Sequence, residues 1–479
     1  MDTSNNFVLE PLTIVKFGGS ALGVDGLKIP IIVNRIKELK KNSKIVSVFS
    51  APLTHYEGKK LSMTDVAIRI SKNYASLNPV DIDILKNVYL KISDMYLHNE
   101  YKQKFEYDLE RFNKIVIVSL KQVAENRRFV DVSRSRILAY SGEIVISCLM
   151  NYILKSNNVN SEYVSIDGWP IVTDDNFEAA SFILDDSKKH LDSVISILKS
   201  NDVLCIGGFI GKTIDGLETT YERGGSDRTA ADLGILLSSN YNVLIDFEKD
   251  NAVLSADPKI VSDNLHYVES LSYNEAKLAG MFGMKILDPV AIKDINDNSL
   301  DIPIIITNLS DPSRFTKIKK QISVEESENQ PKIKIVTGKK NCVIVRMESI
   351  AASHLVALLE KQRQYHDFVK LSPFKQDNRE ITRFLFLDGD YVKRHEKIFR
   401  SFYPKVEMVY ARGVVTLIGD SMWKVPKIVS ETSSIVSQQD INILNIDAQE
   451  ETSRILILVE DNSVEEVVKS IHSKGTIIT

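Results

Sequence analysis

Leu12-Thr-Ile-Val-Lys-Phe-Gly18-Gly19-Ser20 is a short apolar run that stops at two glycines and a serine. Such a run is typical of a buried strand that leads into a tight turn. A second apolar run, Lys44–Phe49, follows an amphipathic segment over residues 28–41. Two strands joined through a helix pair in parallel, because the crossover returns the chain to the same end of the sheet. The opening residues therefore predict a βαβ unit.

The same strand signature returns three times, at residues 202–206, 242–246 and 302–307, with helical patterns between the runs. This alternation predicts an α/β fold: an open, mainly parallel sheet with helices on both faces. Residues 60–155 differ, because four long amphipathic segments follow one another there with few strand-like runs. We expect a helical excursion from the sheet in that region.

A polar stretch from Ser310 to Lys332 marks a domain boundary, and an internal repeat follows it. Residues 343–392 align with residues 415–464 when the sequence is shifted by 72 positions. Each copy has the pattern of a ferredoxin-like βαββαβ unit, and two such units placed edge to edge would share a core. The predicted domains are residues 1–315, 333–405 and 406–479, with residues 333–340 a candidate strand of the last domain.

The composition favours small-molecule partners. The chain has 479 residues, 43% hydrophobic and 26% charged, and its 60 basic and 64 acidic residues give a formal charge of −4. This balance argues against a protein that coats nucleic acid or an anionic membrane. Three isolated cysteines and eight scattered histidines predict neither a disulfide framework nor a metal site. The N-terminus lacks the basic and apolar regions of a signal peptide, so we expect a cytoplasmic protein.

Three glycine-rich turns carry the candidate site, and each also has an ordinary structural explanation. They lie at Lys16–Ser20, Gly207–Gly211 and Arg223–Asp227. Strand ends of a parallel sheet converge on one edge, where exposed amides and basic side chains form an anion site. Ser226 is predicted to cap the following helix and to direct its positive end toward bound anion. Gly207–Thr213 is not a P-loop, because Ile206 stands where that motif requires glycine.

Eight motifs, in this order, resemble those of the aspartokinases. They are Lys16-Phe-Gly-Gly-Ser20, Ser50-Ala-Pro-Leu-Thr54, Ser141-Gly-Glu143, Gly168-Trp-Pro-Ile-Val-Thr-Asp-Asp-Asn-Phe177, Gly207-Gly-Phe-Ile-Gly211, Arg223-Gly-Gly-Ser-Asp227, Ser255-Ala-Asp-Pro258 and Phe282-Gly-Met-Lys285-Ile-Leu-Asp-Pro289. The resemblance covers nearly the whole chain and is weakest over residues 60–130. It implies an amino-acid kinase fold followed by tandem ACT domains. It also implies phosphorylation of the L-aspartate side-chain carboxylate by ATP with Mg²⁺, the first step toward lysine, threonine and methionine.

The resemblance further implies roles for individual residues. Lys16 and Asp227 would be catalytic, with Asp227 organising the lysine and the attacking carboxylate. Aspartate would be held by Ser50, Thr54, Glu143, Arg223, Gly224, Gly225 and Ser226. ATP would be bound by Lys16, Phe17, Gly18, Gly19, Ile245, Asp246, Leu254, Lys259 and Lys285. No metal held by the protein itself is implied. A homo-oligomer is expected, with an amino-acid effector at the ACT-like domains and no nucleic acid or membrane partner.

Two regions depart from the family pattern. Residues 245–253 form a segment two residues longer than usual and without the usual glycine. For its acidic residues Asp246, Glu248 and Asp250 a solvated turn is favoured over a cation site. In the first repeat, Ile350-Ala-Ala-Ser-His354 replaces a glycine-containing helix start. Feedback by lysine or threonine is therefore a hypothesis only.

Two alternatives to an aspartate kinase are open at this stage. One is an amino-acid kinase that acts on a different carboxylate. The other is a catalytically weak subunit that senses amino acids, which the altered segment at 245–253 would suit. Retention of Lys16, Glu143, Arg223 and Asp227 favours the enzyme. A carboxylate is already a nucleophile, so its phosphorylation requires no strong base, only the neutralisation of phosphate charge.

Overall fold

The computed structural model describes residues 9–222, 224–284, 286–322, 332–361, 368–420 and 422–474. The chain divides into two compact units. The first unit comprises Met1–Ala252 and Val290–Lys320, and the second comprises Val253–Pro289 and Gln321–Thr479. Each unit is described separately below.

The regular elements in the described ranges are numbered here in chain order. The strands are β1 Pro11–Phe17, β2 Lys44–Phe49, β3 Leu53–Tyr56, β4 Lys59–Ser62, β5 Ser161–Tyr163, β6 Val203–Gly207, β7 Ile210–Lys212, β8 Glu218–Thr220, β9 Asn242–Lys249, β10 Ser270–Ser272, β11 Ile304–Asn308, β12 Phe315–Lys319, β13 Ile335–Glu348, β14 Phe368–Gln376, β15 Arg379–Phe386, β16 Glu407–Ile418, β17 Asn445–Ala448 and β18 Arg454–Glu460. The helices are α1 Gly19–Leu22, α2 Ile29–Leu39, α3 Met63–Ala75, α4 Ile84–Tyr96, α5 Asn99–Asn126, α6 Val132–Tyr140, α7 Glu143–Ser156, α8 Leu184–Lys188, α9 Asp192–Ser200, α10 Ser226–Leu237, α11 Tyr273–Met281, α12 Pro289–Asp297, α13 Ser349–Lys361, α14 Gly389–Arg394, α15 Glu396–Phe402, α16 Ile428–Ser437 and α17 Val464–Ser473.

The first unit is built on a mainly parallel sheet. Its strands lie in the order β12-β11-β9-β1-β2-β6-β5. Every neighbouring pair in this series is parallel except β11 and β12. In β1 the side chains of Leu12, Ile14, Val15 and Phe17 are buried, as expected of a strand covered on both faces. The open, mainly parallel sheet predicted from the sequence is confirmed.

The predicted helical excursion is also present. Helices α3 to α7 occupy residues 63–156, and a short hairpin of β3 and β4 precedes them. The stretch Val132–Ser156 is long and apolar enough to cross a membrane by composition, but nearly all of its most apolar window is buried inside the unit. Its apolar character is explained by this burial, because α7 packs against strands β2, β5 and β6.

The second unit contains an antiparallel sheet with internal symmetry. Its strands lie in the order β14-β15-β13-β16-β18-β17, so each repeat places its strands in mirrored order about the central pair. In the central pair, Ile344–Arg346 of β13 pair with the start of β16 and Ile335–Lys339 pair with its end. Two buried clusters form the cores, one around Phe384 and Phe386 and one around Val415 and Ile457. The predicted pair of βαββαβ units, joined edge to edge, is confirmed.

The segment Val253–Pro289 groups with the C-terminal half of the chain. Ala256 and Val261 belong to the buried cluster around Val415. The buried Lys334 ammonium forms a 2.9 Å ion pair with Glu275, and the Val336 amide donates to the Ser255 carbonyl at 2.9 Å. The folded units therefore do not divide at a single point in the sequence.

Candidate active site

The carboxyl ends of three neighbouring strands, β1, β2 and β6, are joined at one edge of the sheet. The Ser50 amide donates to the Phe17 carbonyl at 3.0 Å, and the Gly208 amide donates to the Phe49 carbonyl at 2.8 Å. The rings of Phe17 and Phe49 stack beneath this edge, with centroids 5.7 Å apart. The turn residues that follow each strand are thus fixed beside one another, at the edge where open α/β sheets bind ligands.

Lys16 and Asp227 form the central contact of this edge. The Lys16 ammonium lies 2.8 Å from Oδ1 of Asp227, and the two side chains are 13% and 11% exposed. Lys249, at the end of β9, lies 3.8 Å from the other oxygen, Oδ2, and is 26% exposed. Asp227 therefore lies between two ammonium groups, at the start of helix α10. The pairing of Lys16 with Asp227 is expected from the sequence, whereas Lys249 is not among the predicted site residues.

Lys249 was missed because the strand was predicted to end too early. The apolar run ends near Asp246, whereas β9 continues to Lys249. The strand is fixed to that point by parallel pairing of Asn308 with Lys249. Alternation along the strand was the signal that could have identified Lys249. Lys16 pairs with Phe247, and Lys249 lies two residues beyond Phe247, so Lys249 and Lys16 lie on the same face of the sheet. Burial lowers the pKa of Lys249, Asp227 opposes that shift, and Lys16 adds to it.

Helix α10 brings Asp227 to the site, but its start differs from the prediction. Ser226 is the first helical residue, and the N-cap is Gly225, which has no side chain with which to cap the helix. The predicted Ser226 cap is therefore wrong: a residue already inside the first turn cannot occupy the N-cap position. Ser226 is nevertheless buried close to Gly208, where an added Cβ atom would lie 2.6 Å from the Ser226 Cβ. Glycine at 208 allows the helix to approach the sheet edge.

Glu143 is the buried acid of the site. Its Oε1 accepts hydrogen bonds from the Ala51 amide at 3.2 Å and the Thr64 hydroxyl at 3.3 Å. Its Oε2 is buried and has no hydrogen-bond partner among the residues that the structure describes. Burial raises the pKa of Glu143 to about 7, while the Ala51 amide, Thr64 and the Lys16 charge oppose the shift. A buried carboxylate oxygen without a donor is suited to a cationic or N–H donor from a ligand.

The loop before Glu143 is held rigidly. The buried Tyr89 hydroxyl donates to the carbonyls of Ser141 at 2.8 Å and Gly142 at 3.2 Å. A Cβ at Gly207 would lie 2.7 Å from the Glu143 carbonyl oxygen. Close approach of backbone to backbone thus explains why the strand end at Gly207 requires glycine. The Gly19 turn is equally tight, because a Cβ there would lie 2.7 Å from the Ala51 carbonyl oxygen.

Ser50 directly follows β2 and Thr54 lies on β3, and their role in substrate binding stays a prediction. The Thr54 side chain is buried, and its hydroxyl donates to Asp25 at 2.7 Å. Asp25 is also ion-paired with Lys91 at 2.6 Å. Burial works to raise the pKa of Asp25, but hydrogen bonds from Lys91 and Thr54 outweigh it and lower the pKa overall. The Thr54 hydroxyl therefore donates its hydrogen bond to Asp25 in this structure.

Two of the three acidic residues of the 245–253 segment do not lie in the predicted solvated turn, whereas Asp250 is exposed as predicted and pairs with Lys28 at 2.9 Å. Asp246 and Glu248 are buried on β9 and share the guanidinium of Arg35, which lies on α2. Asp246 accepts 3.0 Å and 2.8 Å hydrogen bonds from Arg35 and Thr307. Alternation along β9 directs these two acids away from the face that carries Lys249. The prediction of a solvated turn is wrong for Asp246 and Glu248, because the arginine that neutralises them comes from a distant helix.

The Asp246 carboxylate is therefore already bound to Arg35 and Thr307. Its predicted role in ATP binding is not supported by any side-chain contact described here. Burial raises the pKa of Glu248 to about 8, and the neighbouring Asp246 adds to the shift while Arg35 opposes it.

Helices cover both faces of the sheet, as predicted. Helix α2 contacts one face of β9 through Arg35, and α10 packs on the other face.

The remaining predicted nucleotide residues are distributed over both units. Phe17 and Ile245 are buried in neighbouring strands of the first unit, and Gly18 packs under the Lys16 ammonium, 3.4 Å from an added Cβ. Gly224 has a φ of +97°, and an added Cβ at Gly225 would lie 2.3 Å from the Tyr221 Cβ. Leu254 and Lys259 lie in the second unit, the former half-buried and the latter exposed. Arg223 and Lys285 lie outside the described residues.

Within the described ranges, no three His, Cys, Asp or Glu side chains are grouped so that they could hold a metal ion. The two oxygens of Asp227 both face lysines. The arrangement is suited instead to an anion brought in by a substrate, because ammonium groups and glycine turns supply positive charge and N–H donors at the same edge.

Comparison with known proteins shows the family and the fold. The family model for the amino acid kinase family matches residues 11–308. The bifunctional aspartokinase/homoserine dehydrogenase of Buchnera aphidicola is 23% identical over 96% of this chain, and the chain covers 56% of that protein. Lysine-sensitive aspartokinase 3 of Escherichia coli is 23% identical over 82% of this chain and 85% of its own length. The crystal structure of E. coli aspartokinase III in complex with aspartate and ADP superposes with a TM-score of 0.77 at 19% identity, covering 96% of this chain and 99% of that one.

Proposed function

The chain belongs to the amino acid kinase family, and on that basis we propose that it transfers the γ-phosphoryl group of ATP to the side-chain carboxylate of L-aspartate. The observation that carries the proposal is the Lys16–Asp227 ion pair at the edge formed by β1, β2 and β6, beside the buried acid Glu143. The relatives named aspartokinase support aspartate over other acids. The chain spans 56% of the length of the bifunctional relative from Buchnera aphidicola, and the proposal is limited to the kinase activity.

The reaction joins two anions. A side-chain oxygen of aspartate attacks the γ-phosphorus, the bond from that phosphorus to the β,γ-bridging oxygen breaks, and its electron pair leaves with ADP. Ammonium groups next to the phosphate offset the repulsion between the reactants and stabilise charge on the transferring group. Lys16 is positioned for this work by Asp227, which holds its ammonium over the Gly18 turn.

Glu143 supplies the selection for an amino acid. The α-ammonium of aspartate would donate to the unpartnered Oε2 of Glu143, and the ion pair would draw Glu143 into its charged form. Burial strengthens this interaction, because water competes poorly for a carboxylate that is 3% exposed. A simple dicarboxylic acid without an amine would leave the same oxygen unsatisfied and bind less tightly.

Mg²⁺ is treated as part of the substrate MgATP. The described residues offer no group of ligands that could hold the ion alone, and the triphosphate itself supplies oxygen ligands that Mg²⁺ prefers. When bound, the ion would neutralise phosphate charge alongside the lysines. The protein groups bind and orient the two substrates, and no proton has to be removed from the attacking carboxylate.

The wider role follows from the same proposal. A cytoplasmic homo-oligomer would form 4-phospho-L-aspartate as the first step toward lysine, threonine and methionine. In the second unit a cavity of about 540 Å³ lies between the start of α16 and the β17–β18 connection, lined in part by Lys427, Ser430, Gln449 and Arg454. Its size, and a lining that also includes the acidic Glu450, support an amino-acid effector at the second repeat. Titration of lysine, threonine and methionine against activity and melting temperature tests this, and no change in either would reject it.

The substrate assignment is tested with hydroxylamine, which traps acyl phosphates. Purified full-length protein is incubated with MgATP and L-aspartate, D-aspartate, L-glutamate or succinate, and the hydroxamate is measured. We expect hydroxamate with L-aspartate, and little or none with succinate. Turnover with another acid but not with aspartate would replace the substrate. Absence of turnover with every acid, together with effector binding, would favour the regulatory-subunit alternative.

A further inference from the structure

An ion pair in the turn after α1 fixes the direction of one hydrogen bond near the candidate site. The Thr54 hydroxyl lies 2.7 Å from Oδ1 of Asp25, and the Lys91 ammonium lies 2.6 Å from Oδ2. An ammonium group only donates hydrogen bonds, and an ionised carboxylate only accepts them. The donor in the contact between Thr54 and Asp25 is therefore the threonine.

The ionised state of Asp25 determines what the Thr54 oxygen offers to a ligand. The Asp25 side chain is 15% exposed, and burial works to raise its pKa, but the hydrogen bonds from Lys91 and Thr54 outweigh burial and lower the pKa overall. Asp25 thus has no proton to donate at neutral pH. A hydroxyl carries a single proton, so the Thr54 oxygen presents only lone pairs to any further group.

The backbone places the Asp25 carboxylate beside Thr54. Asp25 has a φ of +49°, and it lies between Gly23 and Gly26, with φ values of +79° and +76°. Aspartate and asparagine adopt this left-handed conformation more readily than other residues with a side chain. The Asp25 amide donates to the carbonyl of Leu53 at 2.7 Å, next to Thr54 in β3. Asparagine at position 25 would therefore keep the same backbone.

The hairpin that carries Thr54 is attached at both ends to Glu143. Ala51, before β3, and Thr64, after β4, donate to Oε1 of Glu143 at 3.2 and 3.3 Å. Thr54 and Glu143 are both buried, and Oε2 of Glu143 has no partner among the described residues. Two buried oxygens that accept hydrogen bonds are thus held by one hairpin. A group with several N–H donors, such as an ammonium, is complementary to such a pair.

We propose that Asp25, held ionised by Lys91, is a positioning residue that makes the Thr54 oxygen an acceptor for the α-ammonium of aspartate. This inference rests on the proposed function. Thr54 and Glu143 share the ammonium, whose three N–H donors suffice for both. Asp25 does not touch the substrate, and no bond is formed or broken. The arrangement selects amino acids over dicarboxylic acids that lack an amine.

The experiment reverses the hydrogen bond with Asp25→Asn in the full-length protein. Lys91 would bind the amide oxygen, so the amide NH₂ group would face Thr54 and the threonine proton would turn toward the substrate ammonium. We expect the KM for L-aspartate to rise by about 10-fold or more. The inhibition constant of succinate, which lacks the ammonium, should stay within about twofold. Equal rises in both constants would indicate a merely structural role and overturn the inference.

Asp186→Asn is the matched control. Asp186 is 25% exposed and lies 2.7 Å from Lys189 in the same unit, so this pair resembles Asp25–Lys91 in length and exposure. Both constants should stay within about twofold of the wild type, as for a surface ion pair. If Asp25→Asn matches Asp186→Asn in both constants, the inference is overturned.

A double variant, Asp25→Asn with Lys91→Met, tests the direction of the hydrogen bond by rescue. Without the lysine the amide is free to turn over and present its oxygen to Thr54, which restores the original polarity. We expect the KM for L-aspartate to fall at least about threefold below that of Asp25→Asn, although the double variant has lost one more contact. A KM equal to or above that of Asp25→Asn would contradict the proposed polarity.

Calorimetric binding of L-aspartate separates this inference from the proposed function. If the wild type binds L-aspartate but does not phosphorylate it, the proposed function fails, and dissociation constants replace KM in the same comparisons. A wild type that neither binds nor phosphorylates L-aspartate overturns both. If Asp25→Asn loses its cooperative melting transition, Thr54→Val and Thr54→Ser replace it. Weaker aspartate binding in valine than in serine, with equal succinate binding, supports the inference, and equal aspartate affinity overturns it.

Discussion

Lys16 places its ammonium 2.8 Å from Asp227 and within contact of the Gly18 turn. We predict that Lys16→Ala lowers the rate of aspartate-dependent ATP consumption by about 10²- to 10³-fold, because one charge that stabilises the transferring phosphate is lost. The side chain contributes little to the core, so the melting temperature should stay close to that of the wild type. A folded variant that keeps more than about a tenth of the wild-type rate would contradict this role.

Glu143 gives a prediction for substrate affinity. Replacing it with glutamine removes the charge that would pair with the substrate ammonium but keeps the shape of the side chain. We expect the KM for aspartate to rise by about 10- to 100-fold at pH 8, with a smaller change in the KM for ATP. Equal rises in both constants would indicate a general disturbance of the site rather than loss of one contact.

The raised pKa of Glu143 also gives a prediction for stability. The ordinary pKa of 4.5 rises to about 7 in the folded protein. The folded state therefore holds the proton more tightly than the unfolded chain, and stability falls as pH rises between these two values. Glutamine cannot ionise, so Glu143→Gln should melt above the wild type at pH 8 and close to it at pH 5. The upper limit of the effect is roughly 3 kcal/mol, and identical melting differences at both pH values would refute it.

Strand β9 shows where sequence reasoning succeeds and where it stops. The apolar run Asn242–Asp246 correctly predicts a strand, and the apolar runs that form β1 and β11 predict its parallel neighbours. Its continuation through Glu248 and Lys249 resembles a polar loop, because charged residues seldom occupy a covered strand. They are tolerated here since Arg35 pairs with both acids, although it is more than 200 positions away in sequence. No local pattern predicts a partner at that distance.

The Arg35 network predicts a large effect on the stability of the first unit. Arg35→Met would leave two neighbouring buried carboxylates without their counter-charge. We expect a loss of about 3 kcal/mol in the free energy of unfolding, measured by chemical denaturation. Arg69→Met is the control, because the Arg69–Glu57 pair is exposed and should contribute less than about 1 kcal/mol. Denaturation of both variants at the same denaturant concentration would show that the network is not stabilising.

The two C-terminal repeats illustrate a second limit of the sequence. Similarity at a spacing of 72 residues predicts two units, and hydrophobic periodicity predicts their strands. The sequence pattern does not predict that the long strand β13 joins the two repeats. In the assembled sheet β13 pairs with both ends of β16. The cavity of the second repeat is likewise formed by residues from separate connections, and its volume follows from packing rather than from a motif.

At the scale of the whole molecule, the chain order differs from the grouping of the folded units. Val253–Pro289 precedes α12 and the last strands of the first unit, yet packs with residues beyond 321. A fragment that ends at residue 315 would therefore contain this segment without the cluster that buries Ala256 and Val261. We predict that it aggregates or binds a hydrophobic dye, because apolar side chains are exposed.

A second fragment provides the comparison. It joins Ala252 to Val290 through a flexible linker of about ten residues and ends at residue 320. We expect it to melt cooperatively and to bind less dye than the first fragment, since it contains the first unit alone. Equal dye binding by the two fragments would mean that Val253–Pro289 is not the source of the exposed apolar surface.

The central claim is that a carboxylate oxygen of aspartate meets the γ-phosphorus of ATP at the Lys16–Asp227 edge. The most direct measurement uses L-aspartate labelled with ¹⁸O in its side-chain carboxylate, with MgATP and hydroxylamine as the trap. Trapping cleaves the acyl carbon–oxygen bond, so the released phosphate should carry one ¹⁸O atom, detected by mass spectrometry, and Lys16→Ala should release almost none. Phosphate without label, or label found in AMP, would show that water or a different phosphorus is involved and would contradict the account.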